Sequence, residues 1–176
     1  MSESAPGGPA ARVAPLVRPA RPGDIPAILG FWNPIIRDTT VTFASDQKTG
    51  PGLLEMIATR RRDGHEFLVA EDAGRVLGLV TYAQFRGGNG YARAMEHTII
   101  LAPEARGQGV GRALMAAVEE HARARGAHSM IAGVSAENAA GIAFHAAVGY
   151  PEVARIPEVG WKFDRWLDLV VMQKML

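Results

Sequence analysis

The chain has 176 residues, 48% hydrophobic and 21% charged, with 19 Lys and Arg against 18 Asp and Glu. That length and composition suit one soluble domain with its own core, and a formal net charge of +1 supplies no basic surface for nucleic acid. The absence of cysteine excludes disulfide scaffolds, thiolate metal sites and cysteine nucleophiles, and is compatible with a reducing cytoplasm.

Residues 1–15 are rich in Ala, Pro, Gly and Ser and read as a disordered tail rather than a signal peptide. Residues 16–176 read as a single domain. No apolar stretch approaches the roughly 20 residues of a membrane span, so no membrane partner is expected. Leu16 to Ala20 predicts a strand. Pro22-Gly23-Asp24 starts a helix through about Trp32, and Asn33 to Phe43 reads as irregular. Gly50 to Arg62 predicts a second helix; its terminal Arg60-Arg61-Arg62 is the densest basic cluster and is too short for a nucleic-acid surface. Glu66 to Glu71 and Arg75 to Gln84 form a hairpin on Ala73-Gly74. A glycine-rich loop, Arg86 to Gly90, leads to a long strand, Ala92 to Leu101, stopped by Pro103. Val110 to Arg125 is the strongest helix, closed by Gly126. A buried strand (Ser129 to Val134), a helix (Asn138 to Val148, ended by Gly149) and two strands (Glu152 to Val159, Leu167 to Met175) complete the chain. The order β-α-α-β-β-β-α-β-α-β-β implies a mixed sheet with helices on both faces.

The run Arg106-Gly107-Gln108-Gly109-Val110-Gly111 joins an alternating strand to a helix. Such a turn presents backbone N–H groups at a helix N-terminus, where the helix dipole adds positive character, and so can hold a phosphate or pyrophosphate. A Walker A loop needs Gly-Lys-Ser or Gly-Lys-Thr, but Arg112-Ala113 follows Gly111. A dinucleotide fingerprint needs an acidic residue about 20 positions on, and Arg125 to Met130 contains none.

The same run, followed by Asn138-Ala139-Ala140 and by Phe144-His145 ahead of Val148-Gly149-Tyr150, resembles the acetyl-coenzyme A signature of the GNAT N-acetyltransferases. Thr39 to Phe43, Phe85-Arg86, Glu96-His97, Glu137 to Ala140 and Glu158 to Leu169 are similar to the phosphinothricin and methionine sulfoximine acetyltransferase branch. The resemblance runs from about Val17 to Met175. It implies a mixed, mostly antiparallel α/β sheet that splays between the strand ending at Leu101 and Ser129 to Val134. Acetyl-coenzyme A would sit in the splay, its pyrophosphate on Arg106 to Gly111 and its pantetheine arm beside Asn138. Its thioester carbonyl would be polarised by N–H groups near Ile99 and Ile100, with Thr98 adjoining.

Alternation puts Glu96, Thr98 and Ile100 on one strand face and Met95, His97, Ile99 and Leu101 on the other. The resemblance makes Glu96 the general base for the substrate ammonium. His145 takes the place of a Tyr found in many relatives, as donor to the departing thiolate. His97 reads as a hydrogen-bonded structural histidine bordering the substrate. Phe85, Arg86, Gly87 and Met95 are the other substrate-side candidates, Arg86 as a bidentate clamp for an α-carboxylate. His121 and His128 have no metal-ligand spacing, and no metal is needed. The implied acceptor is the α-amino group of a small amino-acid analogue, and the implied assembly is a homodimer. Ala92, Arg93, Ala94 and the region of Gly88 depart from the branch pattern and leave the acceptor open. Another amine (a polyamine, an aminoglycoside or a protein N-terminus) or a non-catalytic coenzyme A-binding module are the alternative readings.

Overall fold

The computed structural model describes residues 14–176. The expected tail at 1–15 therefore lies outside the described residues, apart from Ala14 and Pro15. The elements are β1 (Leu16–Pro19), α1 (Ile25–Asp38), α2 (Gly50–Arg62), β2 (Phe67–Asp72), β3 (Arg75–Gln84), β4 (Ala94–Leu101), α3 (Val110–Ala124), β5 (Ser129–Ser135), α4 (Ala139–Ala147), β6 (Glu152–Lys162) and β7 (Arg165–Met175). One sheet runs in the order β1-β2-β3-β4-β5-β7-β6. Only β4 and β5 are parallel neighbours, and the other neighbouring strands are antiparallel.

The register assigns the faces. Tyr82 of β3 lies opposite His97 of β4 and puts its hydroxyl 2.9 Å from His121 Nδ1 on α3. Residues directly opposite share a face, so Met95, His97, Ile99 and Leu101 look toward α3. Glu96, Thr98 and Ile100 look the other way with Ala83, Thr81 and Leu79, as alternation predicts. The helices α1 and α2 pack on this second face. On the first, Phe144 of α4 sits where a Cβ on Gly111 of α3 would collide.

The first helix and the last hairpin differ from the sequence expectation. The first helix does not stop at Asn33-Pro34 but continues to Asp38. Its stripe of Ile25, Ile28, Phe31, Trp32 and Ile36 is buried, and that packing outweighs the hydrogen bond that Pro34 cannot donate. The last two strands also extend toward each other, Trp161 pairing with Trp166 across a tight turn at Phe163-Asp164. Both turn residues have positive φ, 52° and 55°. A two-residue hairpin turn needs that conformation and usually takes it from Asn-Gly. A bulge between Ile156 and Gly160, with Glu158 at φ 50°, interrupts β6 where the expected strand ended.

Candidate active site

The parallel pair that positions the site is short. Ala94 to Glu96 pair with Ser129 to Ile131, and there the pairing stops. From His97 to Leu101 the β5 side of β4 has no strand partner among the described residues, so N–H groups on that edge face the gap. A cavity of about 300 Å³ passes through the split, bounded by Trp32 and Ile36 of α1, Glu96 and Thr98 of β4, and Asn138 and His145 of α4. Ile99 and Ile100 line it as well.

Glu96 is the last paired residue before the strands part, with Oε1 on the face of Gly133. Its carboxylate is open to the cavity but flanked by protein, and this burial raises its pKa. No cation or hydrogen-bond donor holds it among the described residues.

His97 and His145 are both buried, and their Nε2 atoms lie 3.0 Å apart. His145 Nδ1 is 2.7 Å from the Gly141 carbonyl, which can only accept, so that nitrogen carries the proton. Neutral His145 then has a bare Nε2, and His97 Nε2–H donates to it. His97 Nδ1 is left buried without a hydrogen-bond partner of normal geometry. The His97 pKa is pushed down to about 3, chiefly by burial and also by the nearby His145, with the Ile131 backbone working in the opposite direction. Burial also lowers His145, partly offset by the Gly141 carbonyl. The pair is therefore neutral at pH 7. Sequence reasoning expected a partner for His97 but not that the partner would be the candidate proton donor.

The glycine-rich turn is open and uncapped. Gly107 and Gly109 have φ of 71° and 80°, with open space where a Cβ would stand. Gly109 is the N-cap of α3 and no side chain caps that end, which leaves its first N–H groups for a ligand. Gln108, Gly109 and Val110 border a second recess of about 190 Å³, separate from the larger cavity. Asn138 caps α4, its Oδ1 accepting from Gly141 N at 2.9 Å. Its amide nitrogen makes no other side-chain bond among the described residues.

The substrate-side candidates are dispersed. Glu96 and His97 line the cavity, but Phe85, Arg86, Gly87 and Met95 do not. Arg86 and Gly87 are exposed on the loop after β3, where Gln84 Nε2 donates to the Gly88 carbonyl at 2.8 Å. Met95 is buried toward α3. Instead the cavity wall includes Lys48, Arg60 and the Thr42-Phe43 segment. Lys162 holds that segment: its buried ammonium donates to the carbonyls of Ile36, Thr39 and Thr42 at 2.6, 2.7 and 2.8 Å. Phe43 lies against Gly160, in the space a Cβ there would need. The family resemblance marks the stretches Thr39 to Phe43 and Glu158 to Leu169 without a role for Thr42, Phe43 or Lys162. Nothing local gives Lys48 or Arg60 a place in the site, because each joins it through tertiary contacts.

The split sheet, the uncapped glycine turn and the carboxylate at the split are the features of an α/β enzyme with a small cavity between its parting strands. The chain belongs to the acetyltransferase (GNAT) family, whose pattern matches residues 32–150. It is 37% identical over 158 residues to an L-methionine sulfoximine/L-methionine sulfone acetyltransferase of Pseudomonas aeruginosa, covering 89% of this chain and 92% of the relative. The structure of a ribosomal-protein-alanine N-acetyltransferase from Brucella melitensis superposes with a TM-score of 0.87 at 40% identity, covering 92% of this chain and 99% of the other. A phosphinothricin acetyltransferase from Sinorhizobium meliloti, solved in complex with acetyl-CoA, gives 0.87 at 28% identity, covering 93% and 89%.

Proposed function

We propose that this acetyltransferase moves the acetyl group of acetyl-CoA to the α-amino group of a small amino acid of the methionine sulfone or phosphinothricin type. The observation that carries the reading is Glu96, an unpaired carboxylate on the cavity wall where β4 and β5 separate. The N–H groups at the start of α3, with Arg106 and Gly107 to Gly111 around them, would hold the pyrophosphate. Thr98, Ile99, Ile100 and Asn138 would flank the pantetheine arm. Bound acetyl-CoA supplies the activated acyl group as a thioester.

The remaining steps fall to the protein. Glu96 accepts a proton from the substrate ammonium, which frees the nitrogen lone pair for attack. Unpaired N–H groups of β4 beyond Glu96 stabilise negative charge on the carbonyl oxygen. His145 can give a proton to the departing sulfur only from its imidazolium form, because its one neutral N–H is spent on Gly141. His97 faces the nitrogen that would carry that proton.

Two further parts belong to this reading. The enzyme works as a homodimer, supported by the exposed apolar side chains of the β6–β7 hairpin. It acts in the cytoplasm, in keeping with a chain that has no cysteine.

The test is free-thiol release with acetyl-CoA and a panel of acceptors: L-methionine sulfone, its carboxamide, phosphinothricin, spermidine and a peptide with N-terminal alanine. The free amino acids are expected to give kcat/KM at least tenfold above the others. A preference for the peptide or the polyamine would overturn the acceptor assignment and leave the family membership intact.

A further inference from the structure

We infer that Arg60, with Lys48 on the wall of the same cavity, is the seat for the α-carboxylate of the acceptor, an inference that rests on the amino-acid reading above. Three arginines end α2, and two of them are engaged. Arg61 Nε meets Glu66 at 2.9 Å and its Nη2 donates to the Ala20 carbonyl at 2.8 Å. Arg62 Nη2 meets Glu55 at 2.9 Å. Arg60 makes no ion pair and no side-chain hydrogen bond among the described residues. Its Nε is buried without a partner, and the side chain borders the cavity that contains Glu96. A buried guanidinium nitrogen with no acceptor is uncommon in a folded protein.

Lys48 supports the same assignment independently. Asn33 grips its backbone from both sides, Nδ2 to the Lys48 carbonyl at 3.0 Å and the Lys48 N–H to Oδ1 at 2.8 Å. The ammonium lies 5.3 Å from the centre of the Trp32 ring and pairs with no carboxylate among the described residues. The cavity wall thus holds two cations, Lys48 and Arg60, and one carboxylate, Glu96. The two histidines that also face it are kept neutral by burial. An amino-acid zwitterion matches this arrangement, its ammonium on Glu96 and its carboxylate on the cations. A polyamine brings only positive charge and meets two uncompensated cations. A guanidinium is planar and can take a carboxylate bidentately, which adds orientation to charge. Orientation matters here because the amino nitrogen must point at both Glu96 and the acyl group.

The experiment compares L-methionine sulfone with its carboxamide, using wild type, Arg60→Gln, Arg60→Lys, Lys48→Gln and Arg86→Gln. Arg60→Gln is expected to raise KM for the free acid roughly 10- to 100-fold, the worth of one charge-assisted pair. KM for acetyl-CoA and for the carboxamide should hardly move, so the preference for the acid collapses. Arg60→Lys should recover part of it, and Lys48→Gln should lose several-fold. Melting curves and calorimetric acetyl-CoA binding confirm that each variant is folded. Arg60→Gln with the acid preference intact overturns the inference, as does loss of that preference in Arg86→Gln alone. If wild type itself shows no preference for the acid, or acetylates no amino acid, the underlying reading fails and takes this inference with it. The two failures are distinct, because only the second appears in the wild-type enzyme.

Discussion

Glu96 carries opposite demands at the residue scale. The proposed role as general base needs its carboxylate ionised and free of partners, and no cation is paired with it among the described residues although Lys48 and Arg60 line the same cavity. The cost is desolvation, which raises its pKa above the usual carboxylate range near ~4.3. The acid limb of kcat/KM should therefore lie above that range, because activity is lost as falling pH protonates the base. Glu96→Gln should remove the limb and lower turnover on the order of 10²-fold. The stability effect has the opposite sign. A group whose pKa is higher in the folded state adds stability below its unfolded pKa, and that stability is lost as pH rises through the folded pKa. Glu96→Gln should therefore raise the melting temperature at pH 7 by roughly one to three degrees, the gain vanishing at acid pH. A melting temperature that falls at pH 7, with the rate unchanged, would show that Glu96 is structural.

At the scale of elements, the Thr42-Phe43 wall of the cavity depends on the contact between the end of α1 and the tip of the last hairpin. All three Lys162 bonds go to backbone carbonyls, groups that can only accept, so the ammonium must keep its three protons although burial lowers its pKa. Glu137 extends the contact: Arg165 holds its carboxylate, with Thr40 assisting, and lowers its pKa to about 2. Lys162→Met should leave three carbonyls without their donor and cost about 2–4 kcal/mol in urea unfolding at pH 7. The acceptor KM should rise several-fold while the acetyl-CoA KM holds, because Thr42 and Phe43 line the cavity in which the acceptor is proposed to bind. Unfolding unchanged from wild type would show that the three bonds add nothing net. These elements also show what could be read from the chain. The boundaries of α2, β3 and α3 and the face of Glu96 follow from local signals: alternation, glycines and caps. The split between β4 and β5 is legible only through the family resemblance. The extension of α1 past Pro34 and the tight turn at Phe163-Asp164 break local rules that packing overrides. Arg60 and Lys162 could not be assigned, since what marks them is the absence or the identity of a partner distant in sequence.

At the scale of the whole molecule, one surface is unlike the rest. From Glu152 to Val159 every residue of β6 is exposed, on both faces of the strand. Its outer edge is unpaired among the described residues, because β6 ends the sheet there. Val153, Ile156 and Val159 stand open along it, and Trp161, Phe163 and Trp166 at the hairpin tip are 52%, 51% and 56% exposed. The two tryptophan rings pack edge-on with centroids 4.9 Å apart, forming one apolar patch. A bare strand edge with an adjoining aromatic patch invites association unless something covers it. A second copy of this chain is the occupant we expect, since the hairpin offers the same patch on both partners of a two-fold pair. Sedimentation at micromolar concentration should report twice the chain mass. Trp166→Glu combined with Val159→Lys should give a folded monomer, because each puts a charge into an interface that depends on excluding water. The consequence reaches the site through Lys162, which lies on the same strand as the patch and fastens the Thr42-Phe43 wall. The monomer should therefore show a raised acceptor KM with acetyl-CoA binding unchanged. A wild type that sediments as a monomer rules the homodimer out. A monomeric variant with wild-type acceptor kinetics would show that the hairpin shapes the cavity without help from assembly.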